Sequence, residues 1–159
     1  MPFDHTIADT LKQPWKLRLW MLKHLPMGLI TGMYIESLDE NGCKVVLKDR
    51  WWIHNPFRSV FWAVMSMAAE LSTGAILYVY ASGTNVQFIL VRMEAKFLKK
   101  VKGKSSYFCL AGQEARQKVE NTVNTDETGV VLLPVLAQDE SGQILAEFNF
   151  YWQLRKPIM

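Results

Sequence analysis

The sequence predicts an α+β domain in which one long helix is covered by an antiparallel sheet. Three observations support this prediction. Residues 57–81 are mostly apolar and contain no proline, which is typical of a buried helix. Apolar and polar residues alternate in much of the remaining chain, and Asn-Gly and Ser-Gly turn signals separate these stretches, as in antiparallel strands. A helix this apolar needs a sheet packed around it.

Composition and charge narrow the class of protein. The chain has 159 residues and half of them are hydrophobic, which suits one domain with a sizeable core. A net charge of +3 is too small to indicate nucleic-acid binding, but it is compatible with an anionic small ligand. Cys43 and Cys109 belong to no motif, which predicts reduced thiols in a cytoplasmic protein. The histidines show no metal-ligand spacing, so we expect no metal site.

An N-terminal helical segment, residues 1–30, is expected to precede a core of residues 31–159 within the same single domain. The helix is predicted over residues 7–25, with a break at Pro14. Four apolar residues spaced 4, 3 and 3 apart share one face: Trp15, Leu19, Leu22 and Leu25. Basic residues lie between them, so a membrane-surface helix is one interpretation. We favour a helix that packs this face against the domain, because covering a core is the commonest role of a short amphipathic helix.

The strand pattern begins with a hairpin that turns at Asn41-Gly42, between residues 33–38 and 43–47. Four more strands are predicted at residues 86–101, 106–111, 130–138 and 144–155, with a short helix within residues 113–123. In the first of these four strands, alternate residues are expected to face the core: Ile89, Val91, Met93, Ala95 and Phe97. Pro134 indicates an edge or a bulge in its strand.

The apolar stretch holds one acidic residue, Glu70, which is the only acid between Trp51 and Met93. The polar residues of the stretch are spaced 7, 4 and 3 apart, which predicts one shared helix face for Ser59, Ser66, Glu70 and Thr73. A carboxylate within a buried helix needs a partner, a proton or a chemical role. The helix that carries Glu70 is expected to start in one of two ways. Asn55 could be the N-cap with Pro56 at the first helical position, or Ser59 could be the N-cap.

Three interpretations of this helix follow. A transmembrane helix is disfavoured because the Glu70 carboxylate near its centre would cost roughly 2.5–3.5 kcal/mol on insertion, so we expect no integral membrane segment. A structural helix whose carboxylate pairs with an arginine is the second interpretation, and it is favoured by physical chemistry alone because structural ion pairs are common. The third is a helix that carries a catalytic carboxylate.

The stretch from Asn55 to Gly74 resembles the hotdog-fold thioesterases, in the branch near the phenylacetate-pathway type. That family has an asparagine, a His-Gly-Gly at the start of the central helix, and an acid about two turns later. Asn55 matches the asparagine and Glu70 matches the acid. The tripeptide Phe61-Trp62-Ala63 stands where the family has His-Gly-Gly. The resemblance covers roughly residues 33–155 and implies the hotdog fold.

The resemblance also implies an acyl-CoA thioesterase that works as a homodimer. Glu70 of one subunit would be the base or nucleophile, Asn55 a positioning hydrogen bonder, and the Trp62 and Ala63 amides the oxyanion donors. The alternative is a non-catalytic acyl- or lipid-binding hotdog protein, because Trp62 is bulky where glycine leaves room for a thioester. Homodimerisation is also expected because aromatic strand faces such as Tyr107 would need covering, and such dimers could pair into a tetramer.

Seven residues are expected to bind or orient the substrate: Arg58, Ser59, Ser66, Thr73, Lys99, Lys100 and Lys102. The lysines could meet the phosphates of coenzyme A, or they could be a solvated strand end that discourages aggregation. Ser66 and Thr73 are expected to orient the carboxylate or a water. We expect no cofactor other than the coenzyme A carried by the substrate.

Overall fold

The computed structural model describes residues 3–125 and 127–157. These residues include five α-helices: α1 (His5–Lys12), α2 (Pro14–His24), α3 (Pro26–Thr31), α4 (Trp62–Ala81) and α5 (Gly112–Thr125). One antiparallel sheet has the strand order β1-β2-β4-β5-β6-β3. Its strands are β1 (Tyr34–Leu38), β2 (Cys43–Lys48), β3 (Gln87–Phe97), β4 (Lys104–Cys109), β5 (Gly129–Asp139) and β6 (Ile144–Arg155). The predicted hairpin, the four later strands and the short helix are thus confirmed.

Helix α4 is the core helix of this sheet, as the sequence predicts. It packs against all six strands, and Ala68, Ile76 and Leu77 are fully buried on it. The helix has 20 residues and a mean hydropathy of 1.3, so by length and composition alone it could cross a membrane. Half of its most apolar window is buried inside the fold, which is the burial expected of a core helix.

The start of α4 differs from both starts predicted from the sequence. The helix begins at Trp62, and Phe61 precedes it in extended conformation without a side-chain cap. Asn55 lies in a turn instead, where its Oδ1 accepts hydrogen bonds from the amides of Phe57 (3.0 Å) and Ser59 (3.3 Å). The prediction that Ser59 shares a helix face with Glu70 is therefore wrong, because the asparagine side chain stabilises a turn that ends before the helix.

The predicted inward face of the N-terminal helix is also wrong. Leu17 and Met21 are the residues of α2 that are buried, each with 1% exposure. The predicted stripe points outward except for the half-buried Leu25, and the remaining three residues are exposed: Trp15, Leu19 and Leu22. Because α2 carries apolar residues on both faces, sequence spacing alone could not decide which face the core would take.

A bulge changes the expected alternation of β3. The pairing of β3 with β6 shifts between Leu90 and Arg92, so the residues before the bulge have the opposite phase to those after it. Ile89 therefore pairs with Gln153 and is 60% exposed. In β5, Pro134 lies where the strand has a neighbour only on the β6 side, since the pairing with β4 ends at Leu136.

Candidate active site

The Glu70 carboxylate lies in the wall of an otherwise apolar cavity of about 190 Å³, between α4, the N-terminal helices and residues of the sheet. No residue in the described part of the chain donates a hydrogen bond or forms an ion pair with it. Glu70 is exposed to solvent at this wall, while the apolar atoms on its cavity side limit the hydration of the carboxylate and raise the pKa of Glu70 above its ordinary value. An unpaired carboxylate in such a wall can accept a proton from a water that enters the cavity.

The hydroxyl groups that the sequence placed beside Glu70 have other partners. Thr73 Oγ1 donates to the Glu70 backbone carbonyl (2.9 Å) and accepts from Trp152 Nε1 (3.0 Å) on β6. Ser66 Oγ donates to the Trp62 carbonyl (3.0 Å), one turn earlier in the helix. Both hydroxyls are satisfied within α4 and against the sheet, and neither contacts the Glu70 carboxylate.

The rest of the cavity wall comes from α4, the N-terminal helices and the sheet: Leu11, Trp20, Leu25, Ile35, Met67, Leu71, Gly74, Ala75, Tyr78, Phe88 and Trp152. The Trp20 and Tyr78 rings meet edge to face at 6.0 Å between centroids. Sequence reasoning did not assign these lining residues to the site. A signal was available, since Glu70, Gly74 and Tyr78 recur at four-residue spacing and must share a helix face.

The N-terminus of α4 supplies two free amide donors. In the described part of the chain, the backbone N–H groups of Trp62 and Ala63 have no acceptor, as expected for the first turn of a helix. These groups and the helix dipole favour a negative charge at this end. The Trp62 side chain is 51% exposed and contacts Phe97 edge to face at 6.3 Å between ring centroids. A negatively charged oxygen could therefore bind here only beside an indole.

Ser59 fixes the loop before α4 to the segment after β3. Its Oγ accepts from the Val101 amide (3.0 Å), and the Val60 amide donates to the Val101 carbonyl (3.3 Å). Ser59 is buried with 6% exposure. The Ser59 hydroxyl, which is predicted to bind substrate, thus holds two segments of the chain together. The Asn55 side chain is used within its own turn.

This junction brings Arg58 and three lysines to one end of α4, although Arg58 is about 40 positions before the lysines in the chain. The lysines are Lys99, Lys100 and Lys102. We call them the basic cluster. Lys100 Nζ donates to the Phe57 carbonyl (3.3 Å), and Arg58 has a left-handed backbone conformation with φ of 58°. Among the described residues, none forms an ion pair with Arg58, Lys100 or Lys102. The cluster can therefore offer positive charge to a phosphate.

No group of histidine, cysteine, aspartate and glutamate residues in the described ranges could hold a metal ion. His54 and Asp49 contact each other directly, and the Asp49 carboxylate also accepts from the Gly103 amide (3.1 Å). This pair stabilises the loop that carries the basic cluster.

Three solved structures show the same fold over nearly the whole chain. The thioesterase HI1161 of Haemophilus influenzae is 12% identical with a TM-score of 0.74, and covers 100% of this chain and 98% of its own. PA5026 of Pseudomonas aeruginosa, of unknown function and described as a probable thioesterase, is 19% identical with a TM-score of 0.74 over 93% and 99% of the two chains. OLEI01261 of Chlorobaculum tepidum, also of unknown function, is 16% identical with a TM-score of 0.76 over 94% and 99%.

These likenesses confirm the hotdog fold, with its long central helix and antiparallel sheet. At 12% to 19% identity they establish the fold and leave the chemistry to be argued from the residues. No curated protein matches the chain. A family model described as a domain of unknown function, DUF4442, matches residues 15–154, and the chain belongs to this family.

Proposed function

We propose that the protein is a cytoplasmic acyl-CoA thioesterase. One observation carries the proposal: the only carboxylate in the wall of the apolar cavity, that of Glu70, has no partner in the described chain and a raised pKa. A structural acid on a core helix would be expected to pair with a cation, whereas the Glu70 carboxylate is exposed to solvent on one side and to apolar atoms on the other. A catalytic base gains from both features, since a pKa nearer neutrality suits proton transfer.

The proposed site is shared between two subunits. Glu70 lies eight residues after Trp62 on the same helix, so the two positions are separated by roughly 12 Å along the axis. One carbonyl group cannot contact both within one chain. Two copies related by a two-fold axis would bring Glu70 of one copy to the α4 N-terminus of the other.

The dimer is proposed to form along β3, which among the described strands pairs only with β6 and has no neighbour on its other edge. Exposed apolar residues lie on or next to this edge, and they include Ile89, Val91 and Leu98. Tyr107 cannot contribute, although the sequence suggested that it would, because it is fully buried inside the fold. Edge pairing satisfies free backbone groups and covers apolar surface at once.

The proposed reaction is hydrolysis of the thioester. Glu70 takes a proton from a water molecule as the water oxygen bonds to the carbonyl carbon. The carbonyl oxygen gains the negative charge, which the amides of Trp62 and Ala63 from the other subunit stabilise. The carbon–sulfur bond then breaks, the proton passes to the thiolate, and carboxylic acid and coenzyme A are released. Direct attack by the Glu70 carboxylate, with later hydrolysis of the anhydride, is the other possible route.

Substrate binding is proposed to use the cavity and the basic cluster. The acyl group would enter the cavity beside Glu70, while the phosphates of coenzyme A would bind Arg58 and the lysines near the partner's α4 N-terminus. The cavity volume of about 190 Å³ is below the range of roughly 300–1,000 Å³ for drug-sized ligands. A short acyl group therefore fits better than a long one.

The first test is a hydrolysis panel of short, long and aromatic acyl-CoA substrates, followed by thiol release. We expect turnover that is highest with short acyl groups. If every acyl-CoA in the panel binds but none is hydrolysed, the proposed activity is contradicted. Mass spectrometry of the purified protein then tests the non-catalytic alternative, which requires a copurifying acyl ligand. The exposed Trp62 side chain beside the amide donors is the observation that favours this alternative.

Mixed dimers test the shared site. Trp62→Pro removes the first amide donor at a helix position that tolerates proline, and Trp62→Ala is the matched control that keeps the amide. Trp62→Pro and Glu70→Gln dimers should each be inactive. Mixing their subunits should restore activity, because each mixed dimer regains one intact site of two. Equal loss of activity in Trp62→Ala, or no recovery on mixing, would contradict the shared site.

A further inference from the structure

The N-terminal helices carry an apolar surface that nothing in the described chain covers. Five of its residues, from α2 and α3, are between 55% and 62% exposed: Trp15, Leu19, Leu22, Met27 and Ile30. We call this surface the α2–α3 patch. A scattered exposed apolar residue needs no explanation, but several on consecutive helices mark an interaction surface.

The geometry of α2 arranges charge around the apolar residues. At about 100° per residue, Trp15, Leu19 and Leu22 fall within an arc of about 60° that points away from the buried Leu17 and Met21. The same arithmetic puts Lys16 and Lys23 on one flank of this arc and Arg18 on the other. An apolar centre with cations on both flanks is the pattern of a helix that lies in the interface of a membrane.

A second segment of the chain extends the patch. Trp52 Nε1 donates to the Ile30 carbonyl (3.2 Å), which holds the short helix Trp51–Ile53 against α3. Trp51 is 80% exposed beside it, and the Arg50 guanidinium lies 5.0 Å from the Trp52 ring centroid. Tryptophan and arginine side chains are both suited to the polar boundary of a bilayer.

Charge selects the partner of the patch. Residues 10–35 contain four basic residues and no acidic residue. Lys12 pairs with Asp9 (2.8 Å), whereas in the described chain no acid pairs with Lys16, Arg18 or Lys23. A second copy of this patch, related by a two-fold axis, would face these cations with the same cations. An anionic bilayer would complement them instead.

We propose that the α2–α3 patch docks the protein on an anionic lipid bilayer. The exposed side chains of Trp15, Leu19 and Leu22 enter the headgroup boundary, and the flanking cations contact lipid phosphates. Trp20 of α2 and Leu25, the residue that follows the helix, belong to the cavity wall. Docking would therefore place α2, which forms part of the cavity wall, in contact with the membrane. This position would suit a protein whose ligands carry acyl chains. The inference concerns binding alone and stands whether or not the protein hydrolyses thioesters.

The test measures cosedimentation of the full chain with vesicles of phosphatidylcholine containing about one third phosphatidylglycerol. We expect the double variant Leu19→Glu/Leu22→Glu to bind these vesicles at least tenfold more weakly than the wild type. Leu110→Glu is the matched control, because Leu110 is 77% exposed outside the patch, and it should bind like the wild type. Pure phosphatidylcholine vesicles and added salt should both weaken wild-type binding.

Three outcomes would overturn the proposal. The first is wild-type protein that does not bind the anionic vesicles. The second is a double variant that is folded by thermal unfolding and binds as well as the wild type. The third is a double variant whose oligomer is smaller in vesicle-free sedimentation, which would assign the patch to a second copy of the chain. Weaker binding by Leu19→Glu/Leu22→Glu at unchanged oligomer size would support the lipid surface.

Discussion

The polar groups on the two sides of α4 differ in whether they have hydrogen-bond partners. On the face toward the sheet, Ser72 Oγ donates to the Ala69 carbonyl (2.7 Å), and Thr73 Oγ1 bonds both the Glu70 carbonyl and the Trp152 indole. On the face toward the cavity, the Glu70 carboxylate has no such partner within the described chain, and its pKa is raised by desolvation. One helix thus carries fully satisfied hydroxyls and an unsatisfied acid within a single turn.

This difference separates structural from functional polar residues. A buried hydroxyl that bonds its own helix and a neighbouring strand is accounted for by folding alone. A carboxylate that lacks a partner beside an apolar cavity is not, and perturbed groups of this kind cluster at functional sites. The comparison therefore predicts that changes on the cavity face alter chemistry, whereas changes on the sheet face alter stability.

The largest expected effect comes from Glu70→Gln. Glutamine keeps the size of the side chain but cannot accept the proton, so turnover should fall by a factor on the order of 100 or more. The fold and the sedimentation coefficient should stay unchanged. Thioester hydrolysis with saturating substrate measures the effect. Retained hydrolysis would remove Glu70 from the mechanism and leave both faces of α4 structural.

Thr73→Val tests a hydroxyl that has both of its hydrogen-bond partners, against the Glu70 carbonyl and the Trp152 indole of the sheet. Valine has nearly the shape of threonine but leaves the Trp152 indole N–H without its acceptor in a buried position. The free energy of unfolding should therefore fall by about 1–3 kcal/mol. Turnover per folded molecule should remain close to that of the wild type, as measured by hydrolysis after correction for the folded fraction. A large loss of turnover without a loss of stability would contradict the division between the two faces.

The sequence predicted the fold better than the site, because secondary structure follows from residue patterns that extend over many positions. The alternation of β6 and the apolar length of α4 each repeat one signal over many residues, and Asn41-Gly42 is a strong local hairpin signal that needs no long-range contact. Bulges and helix faces depend on single residues. The register shift after Leu90 in β3 cannot be read from alternation, and α2 has two apolar faces of similar strength, so packing decided which one is buried.

The candidate site was predicted in part, for the same reason. Spacing alone singled out Glu70 as the lone acid, and its position in the cavity wall is a feature of packing that no spacing could give. Ser59 was placed on the Glu70 face because the helix was expected to start too early, whereas the side chain of Asn55 closes a turn first. The contact between the Ser59 loop and Val101 joins residues that are far apart in the chain. The proximity of Arg58 to the lysines therefore could not be predicted from the sequence.

The pH dependence of stability sharpens the comparison at Glu70. The pKa of Glu70 is raised in the folded state by desolvation, so its neutral form favours folding below the unfolded-state pKa, and this contribution is lost as pH rises through the folded-state pKa. Glu70→Gln has no such loss. We therefore expect the variant to unfold at a higher temperature than the wild type at neutral pH, with the difference shrinking as pH falls through the folded-state pKa and absent below about pH 4.5. A less stable variant at neutral pH would indicate a favourable partner for the carboxylate across the dimer.

The smallest expected effect concerns Gly74, which lies in the cavity wall one turn after Glu70. A methyl group built there would meet the Trp152 ring at 3.8 Å, an ordinary contact, so Gly74→Ala can be accepted without strain. Alanine should stabilise the helix by up to about 1 kcal/mol, because glycine is a poor helix former. The same methyl group reduces the cavity, so hydrolysis of the longest acyl-CoA that the wild type accepts should fall while that of acetyl-CoA stays unchanged.

The control for Gly74→Ala is Ser72→Ala, which changes a residue on the sheet face of the same helix turn. Ser72 is fully buried and is not one of the residues that line the cavity, so its replacement should leave the ratio of long-chain to short-chain turnover as in the wild type. Kinetics with a series of chain lengths measures this ratio for both variants. If Gly74→Ala and Ser72→Ala shift it equally, the cavity does not hold the acyl chain. If only Gly74→Ala shifts it, the cavity face of α4 sets both the chemistry and the length of the substrate.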